Sequence, residues 1–312
     1  MPLRAIIMKK WVLKAVVQKG ISFLPYRHRI NYLFQKYITR GVQLSDEYFS
    51  DRRMHLDKHL AFWQEWGPKK DLRVLELGTG WYPVIPIGYF LAGAERIYTA
   101  DISPLLTLEN LQTTVLRYVN QKAEADHPSF LAERWEKLEA LAQNPPSSLS
   151  AFLEELHIEY LVGDARQVNL EDGTITLVSS NNTFEHVHAP ILRGLLSEFN
   201  RVLDPEGIMS HFIDLSDHFA HLDQQITIYN FLRFSEKAWS RIDNDIQPQN
   251  RWRMWQYRAL YAELGLPIVH EEHRPGDLEA LKTVTLHQDY QTIDSKELAI
   301  SHGYLVSRKG KL

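Results

Sequence analysis

The chain of 312 residues contains no cysteine. That absence removes disulfides, thiolate metal sites, cysteine nucleophiles and cysteine-ligated iron–sulfur clusters together. It fits a reducing compartment, and the cytoplasm is the expectation. A second lack is local. No Asp or Glu precedes Asp46, while Arg4, Lys9, Lys10, Lys14, Lys19, Arg27, Arg29, Lys36 and Arg40 all fall in that stretch. A third lack is of long uncharged runs. Lysines break every apolar run near the N-terminus, which argues against both a secretory signal core and a bilayer-spanning helix. The acid-free segment, residues 1–45, opens what reads as a basic helical arm over residues 1–70. It either packs on the following domain, covering its active site, or lies on an anionic membrane surface.

What is present is ordinary for a globular protein: 44% hydrophobic and 24% charged residues, with a net charge of −4. The length allows one large domain or two modest ones. Setting aside the nine basic residues of the acid-free segment leaves the remaining chain near −13. No nucleic-acid partner is expected of so acidic a body.

From Arg73 the pattern alternates. "RVLELG" is a short apolar strand ending at glycine, and Val84, Ile85, Ile87, Phe90 and Leu91 follow at helical spacing. "RIYTADIS" (96–103) is a second strand, and "PLLTLENLQTTVLRYV" (104–119) predicts a helix with Pro104 near its first turn. Residues 120–156 read as a polar surface insertion of two short helices and a loop. "IEYLVGDA" and "TITLVSSNNTF" predict further strands. "PILRGLLSEFNRVLDPEG" predicts a helix stopped by a turn, with "IMSHFIDL" the next strand. A second insertion, rich in aromatics, spans about 216–250, before a helix over 251–266 and two final strands. Strands separated by helices predict a doubly wound, mostly parallel seven-stranded α/β sheet. Its ligand belongs at the carboxyl ends of the strands. Residues 71–312 form this domain.

"LELGTGWYP" (75–83) is half of a nucleotide-binding loop. It has two glycines but lacks the third that would bring a helix N-terminus to a pyrophosphate. Trp81, Tyr82 and Pro83 stand there instead. A ligand without phosphates does not need that glycine. S-adenosylmethionine is such a ligand, an adenosine joined through a sulfonium to an amino-acid tail. Gly78-Thr79-Gly80 lets the backbone approach the tail, and Glu76 can hold its amino group. Asp101, with Ile102 after it, ends the second strand where a carboxylate can accept the ribose hydroxyls. Asp164-Ala165 ends the third strand, where a side chain can meet the adenine. Each acid could instead cap a helix.

"VLELGTG", "YTADIS", "LVGDA" and "TLVSSNNTFEHV", in that order and spacing, resemble the class I S-adenosylmethionine-dependent methyltransferases. The resemblance covers about residues 71–215. It implies cofactor roles for Glu76, Gly78, Gly80, Asp101 and Asp164, and places Asn182 and Thr183 at the mouth where the methyl group is transferred. "WYP" departs from the family's pattern.

Methyl transfer from a sulfonium needs an aligned acceptor and, for a hydroxyl, a base. "NTFEHVHAP" supplies Glu185, His186 and His188. "SHFIDLSDHFAH" supplies His211, Asp214, Asp217, His218 and His221. A His–Asp pair makes a reasonable base, and the catalytic candidates are His186, His218, Asp217 and Glu185. Glu185 and His186 have a plainer alternative, a structural hydrogen bond holding a helix start. In some branches of the family an acid and this His bind a divalent metal. Asn182 stands where one of those branches has another acid, so no metal is expected. The second insertion reads as a substrate lid. His211, Asp214 and Tyr229 are candidates to line the acceptor pocket, and Arg251 and Arg253 could hold a phosphate or carboxylate. Packing of the lid's own core is the alternative. The expected reaction is O-methylation of a small-molecule, glycan or lipid-linked acceptor. An RNA or protein methyltransferase that tracks its substrate with the basic arm is the runner-up.

Overall fold

A computed structural model describes residues 10–22, 43–125, 127–245 and 247–310. Arg4, Lys9, Arg27, Arg29, Lys36 and Arg40 of the basic arm lie outside them. Seven strands form one sheet: β1 Arg73–Leu77, β2 Arg96–Asp101, β3 Ile158–Val162, β4 Ile175–Asn181, β5 Leu203–Asp214, β6 Ile268–Arg274 and β7 His302–Arg308. Their order is β3-β2-β1-β4-β5-β7-β6. β7 runs antiparallel to both its neighbours, and the other pairings are parallel.

Successive side chains of a strand point to opposite faces, and both faces here are covered. Val74, Leu177, Ile208 and Val306 enter one core; Leu75, Val178, Met209 and Leu305 enter the other. This explains why these strands read as nearly continuous apolar runs rather than as alternation. Three helices cover the first face: α2 (Asp46–Trp66; α1 is Lys10–Ser22), α3 (Val84–Leu91) and α4 (Leu108–Asn120). α5 (Ala132–Gln143) and α6 (Leu149–Glu155) extend it. The second face carries α7 (Ala189–Val202) and, beyond the lid helix α8 (Glu236–Ile242), α9 (Met254–Glu263). Every residue of α3 is buried. That is the condition under which a helix can be apolar on all sides.

α2 is set by its start. Ser45 Oγ accepts from Tyr48 N at 3.1 Å, and Asp46 and Glu47 lie in the first turn, at the positive end of the helix dipole. Two buried histidines of α2 meet the sheet, His55 at the Tyr304 hydroxyl and His59 between two strands. His59 Nδ1 and Nε2 lie 2.7 Å from Ser210 Oγ and 3.0 Å from Asn181 Oδ1. Burial pulls this imidazole down to about 3, so it stays neutral.

α1 packs on the lid. Trp11 meets Phe219 and Phe234 at centroid distances of 6.0 and 5.9 Å, and its backbone N–H donates to Asp223 Oδ2 at 3.1 Å. Lys19 donates to the carbonyls of Asp243 (2.5 Å) and Ser240 (3.3 Å) at the end of α8. No helix among the described residues is long and apolar enough to cross a membrane.

Three local expectations are corrected. α4 starts at Leu108 rather than at Pro104, because Thr107 Oγ1 accepts from Asn110 N and caps it there. Residues 120–156 hold three helices, the extra one being the single turn Lys122–Ala125. Asp204–Gly207 is not a free turn. It is an irregularity inside β5, where the register against β4 shifts.

α2 and α3 touch at Gly88, where an added Cβ would sit 1.8 Å from Leu56 Cδ2 and 3.1 Å from the Tyr118 hydroxyl. Gly88→Ala is expected to destabilise the fold by about 1–3 kcal/mol through overpacking, against alanine's higher helix propensity. Leu56→Ala is expected to cost about 2–5 kcal/mol. The double variant should recover part of the sum, because the smaller side chain frees the space. Urea denaturation of the four proteins measures the cycle; strict additivity would mean that the contact does not set the helix spacing.

Candidate functional site

β1 ends in Glu76-Leu77 and turns at once. Gly78 and Gly80 have φ of 82° and 72°, the left-handed region open to glycine. Gly78 N donates to Ala100 O at 2.9 Å, which ties the turn to the end of β2. A Cβ on Gly78 would meet Thr183 Oγ1 at 2.3 Å, whereas one on Gly80 would meet nothing within 4 Å. The turn is therefore wedged on one side and open on the other. Thr183 in turn donates to Asn181 O at 3.0 Å.

Two acids face this turn. Glu76 is buried and accepts from Thr79 Oγ1, and burial pushes its carboxyl up to about 7. Asp101 is 7% exposed and accepts from Gly80 N at 3.2 Å. Burial first, then the charge of Glu76, push it up to about 8. Ile102 beside it is 77% exposed, while Ala165 is buried. Asp164 ends β3 as expected but turns outward. Arg166 Nε lies 2.9 Å from each of its oxygens and holds its carboxyl below the usual range.

A second cluster gathers where β4 and β5 end. Asn182 has φ of 47°, and its Oδ1 is buried with no hydrogen-bond partner. Glu185 is 2% exposed, and neither of its oxygens has a partner. The plainer expectation of a structural hydrogen bond from Glu185 is not met. Burial, then the charge of Asp214, push its carboxyl well above the ordinary range. His186 Nδ1 donates to Pro248 O at 2.7 Å, so Nε2 keeps its lone pair. Burial and then His218 hold this ring down at about 4. The His186 and His218 ring centroids lie 4.9 Å apart. His218 Nε2 sits 3.2 Å from Asp214 Oδ2, and His302 Nε2 sits 3.4 Å from Asp214 Oδ1. Ser216 N donates to the same carboxylate at 2.7 Å. Burial opposes its ionisation, yet the bonds and charges of these neighbours hold it well below the carboxylate range. Glu185–His186–His218 and Asp214–His218–His221 are each compact enough to share an ion.

Residues 75–210 match the family model for a methyltransferase domain. The matched segment marks a methyltransferase domain and holds the strand-end motifs Glu76 to Asp164. The protein is a methyltransferase, and its cofactor is S-adenosylmethionine. The open, glycine-lined turn between two buried acids suits such a ligand, leaving room for its tail at Gly80. No curated protein is significantly similar to the chain in sequence. Among solved structures, the PH0226 protein from Pyrococcus horikoshii OT3 is 15% identical with a TM-score of 0.47, covering 88% of this chain and 98% of its own. Geranyl diphosphate C-methyltransferase from Streptomyces coelicolor A3(2), in complex with Mg2+, geranyl diphosphate and S-adenosyl-L-homocysteine, is 13% identical with a TM-score of 0.47. That match covers 86% of this chain and 84% of the other. Likenesses this distant say nothing about the acceptor of this methyltransferase.

Several expected site residues sit elsewhere. Asp217 is not the partner of His218. Its carboxylate accepts from Phe219 N at 2.9 Å and Asn230 Nδ2 at 3.0 Å, and it anchors the lid. His211 is fully buried, bonded to Ser180 Oγ at 2.7 Å and stacked on Phe184 at 4.3 Å. It is a core residue with no face left for an acceptor. Tyr229 is fully buried and donates to Ala299 O at 2.8 Å. Arg253 donates to the carbonyls of Leu215, Leu298 and Ile300. Arg251 donates to those of Phe231 (3.0 Å) and Phe234 (2.8 Å) and pairs with Glu236. Arg251 holds the lid's own segments together, and Arg253 ties the end of β5 to the segment before β7, so neither has a free fork for a phosphate. The sequence reading passed over His302 and Tyr160. Tyr160 hydrogen-bonds Asp101 and accepts from Leu105 N at 2.9 Å. A histidine opening a late strand was the available signal for His302.

Glu76 and Asp101 have folded pKa values above their unfolded ones. The stability they contribute is present below about pH 4 and is lost as pH rises through about 7 and 8. Asp101→Asn is therefore expected to stabilise the ligand-free protein. Its advantage over wild type should grow with pH by up to about 1 kcal/mol per unit between pH 4 and 8. It should also weaken S-adenosylhomocysteine binding. Thermal melting across that range together with calorimetry checks both; a pH-independent difference would mean that Asp101 is ordinarily ionised.

Proposed function

We propose that this methyltransferase acts on a hydroxyl of a small-molecule, glycan or lipid-linked acceptor, with His218 as the base. The observation that carries this reading is the Asp214–His218 pair at 3.2 Å, beside His186 where β4 and β5 end. S-adenosylmethionine supplies a methyl group already activated on a sulfonium. Asp214 accepts from His218 Nε2–H, which fixes the tautomer and leaves Nδ1 to take the acceptor's proton. The charge of Asp214 stabilises the imidazolium that forms. His186, neutral at physiological pH, can accept a hydrogen bond from the acceptor at Nε2. Burial, then the charge of Asp214, push the Glu185 carboxyl well above the ordinary range, which disfavours a second negative charge beside a developing alkoxide.

A lipid-linked acceptor would give the basic arm a purpose. On α1 the outward residues Leu13, Val16 and Val17 are 50%, 59% and 37% exposed. With Lys10 and Lys14 nearby they support peripheral contact of a cytoplasmic enzyme with an anionic membrane. The runner-up, methylation of RNA or protein, rests on the basic charge of the same arm.

His218→Ala is expected to lower kcat by roughly 10²–10⁴-fold while leaving S-adenosylhomocysteine affinity unchanged, and Asp214→Asn should follow it. Normal turnover by both would place the base elsewhere. The acceptor class is read by incubating the protein with methyl-labelled S-adenosylmethionine and fractionated cell extract. Label is expected in the lipid or glycan fraction; label in RNA or protein would establish the runner-up.

A further inference from the structure

The cofactor's amino-acid tail carries an ammonium and a carboxylate, and the acids at the glycine turn suit only the first. Neither acid offers a positive charge to a carboxylate, and each repels one when it is ionised. The turn itself, Leu77 to Pro83, contains no Lys or Arg.

The cation comes from outside the matched segment. Arg52 lies in the second turn of α2. Its guanidinium carbon is 5.0 Å from the ring centroid of Tyr48. The Tyr48 ring meets that of Tyr82, two residues beyond Gly80, at 6.3 Å. Tyr48 thus links Arg52 to the lip of the turn. Arg52 Nε is buried with no hydrogen-bond partner. No carboxylate among the described residues pairs with Arg52; its neighbour Asp51 is engaged by His55 at 3.5 Å. Its charge nonetheless reaches Glu76 on one side and Glu185 on the other. The location is built in, because Leu56, one turn further along the same face, is locked against Gly88 of α3. Arg53, the next residue, is a useful contrast. It pairs with the carboxylate of Asp57 at 3.2 Å and lies over the Phe130 ring at 4.8 Å.

We propose that Arg52 receives the carboxylate of the cofactor's amino-acid tail, so that α2 completes the cofactor site. A planar guanidinium matches a carboxylate in two parallel hydrogen bonds, and a half-buried setting strengthens them. The tail is then held by charges of opposite sign at its two ends, Glu76 for the ammonium and Arg52 for the carboxylate. This orients the sulfonium without any phosphate-binding helix. It also accounts for Tyr82 after the glycines, as the ring that Tyr48, beneath Arg52, meets edge-on.

The inference rests on S-adenosylmethionine as cofactor. Calorimetry of full-length protein tests it with two probes, S-adenosylhomocysteine and S-adenosyl-3-thiopropylamine, the same molecule without its carboxylate. Arg52→Met is expected to weaken S-adenosylhomocysteine at least tenfold and to change the decarboxylated probe less than twofold. Arg52→Lys should fall between the variant and wild type. An equal loss for both probes would make Arg52 structural, and no loss for either would remove it from the cofactor site; both results overturn the proposal. A melting curve on each variant separates unfolding from lost contact. Failure of the wild-type protein to bind S-adenosylhomocysteine would instead strike at the cofactor assignment.

Discussion

The ends of β1 and β4 meet where Gly78 has no room for a side chain against Thr183. This contact fixes the distance between the glycine turn and the loop that carries Asn182, Glu185 and His186. The left-handed φ at Gly78 sends the chain away from the sheet at that point and opens the crevice above Gly80. Any Cβ there would push the two strand ends apart, and the halves of the site would separate. Cofactor-facing acids and transfer-facing histidines keep their relation because one residue is small.

Around that contact the domain uses two kinds of polar burial. One ties the frame together. His59 bridges Ser210 and Asn181 within the sheet, His211 is bonded to Ser180, and Arg253 donates to backbone carbonyls. The other lies at the site. Glu185 and Asn182 Oδ1 lack partners, and Glu76 and Asp101 share one turn. Buried polar atoms normally find partners, and the second group stands where the cofactor is expected. It surrounds the crevice at the carboxyl ends of β1, β2 and β4, and the first group lies beneath or beside it.

The sheet was readable because its strands are short apolar runs closed by Gly, Asp or Asn, and because the acids at their ends are spaced by whole strand–helix units. Glu76, Gly78, Gly80 and Asp101 could be picked out for the same reason: their roles depend on local backbone. The lid was harder. A segment dense in Arg and aromatics reads equally as a ligand wall or as a core. Nothing local says that Arg251 and Arg253 will find carbonyls some 17 to 47 residues away. Asp214 and Asp217 illustrate the same limit. Three residues apart, they differ because only the first lies where the strand end meets His218 and His302. Arg52 left no trace at all, since its meaning depends on a helix docking across the sheet face.

Two buried acids drawn to one turn cost the folded protein stability as pH rises toward their ionisation. Ligand binding to the folded state alone adds RT ln(1 + [L]/Kd) to stability, and here that gain also offsets a deficit present before binding. The cofactor is thus expected to serve partly as a structural component. The lifetime of this chain in the cell would then follow the supply of S-adenosylmethionine, coupling the amount of enzyme to the availability of the methyl groups it spends.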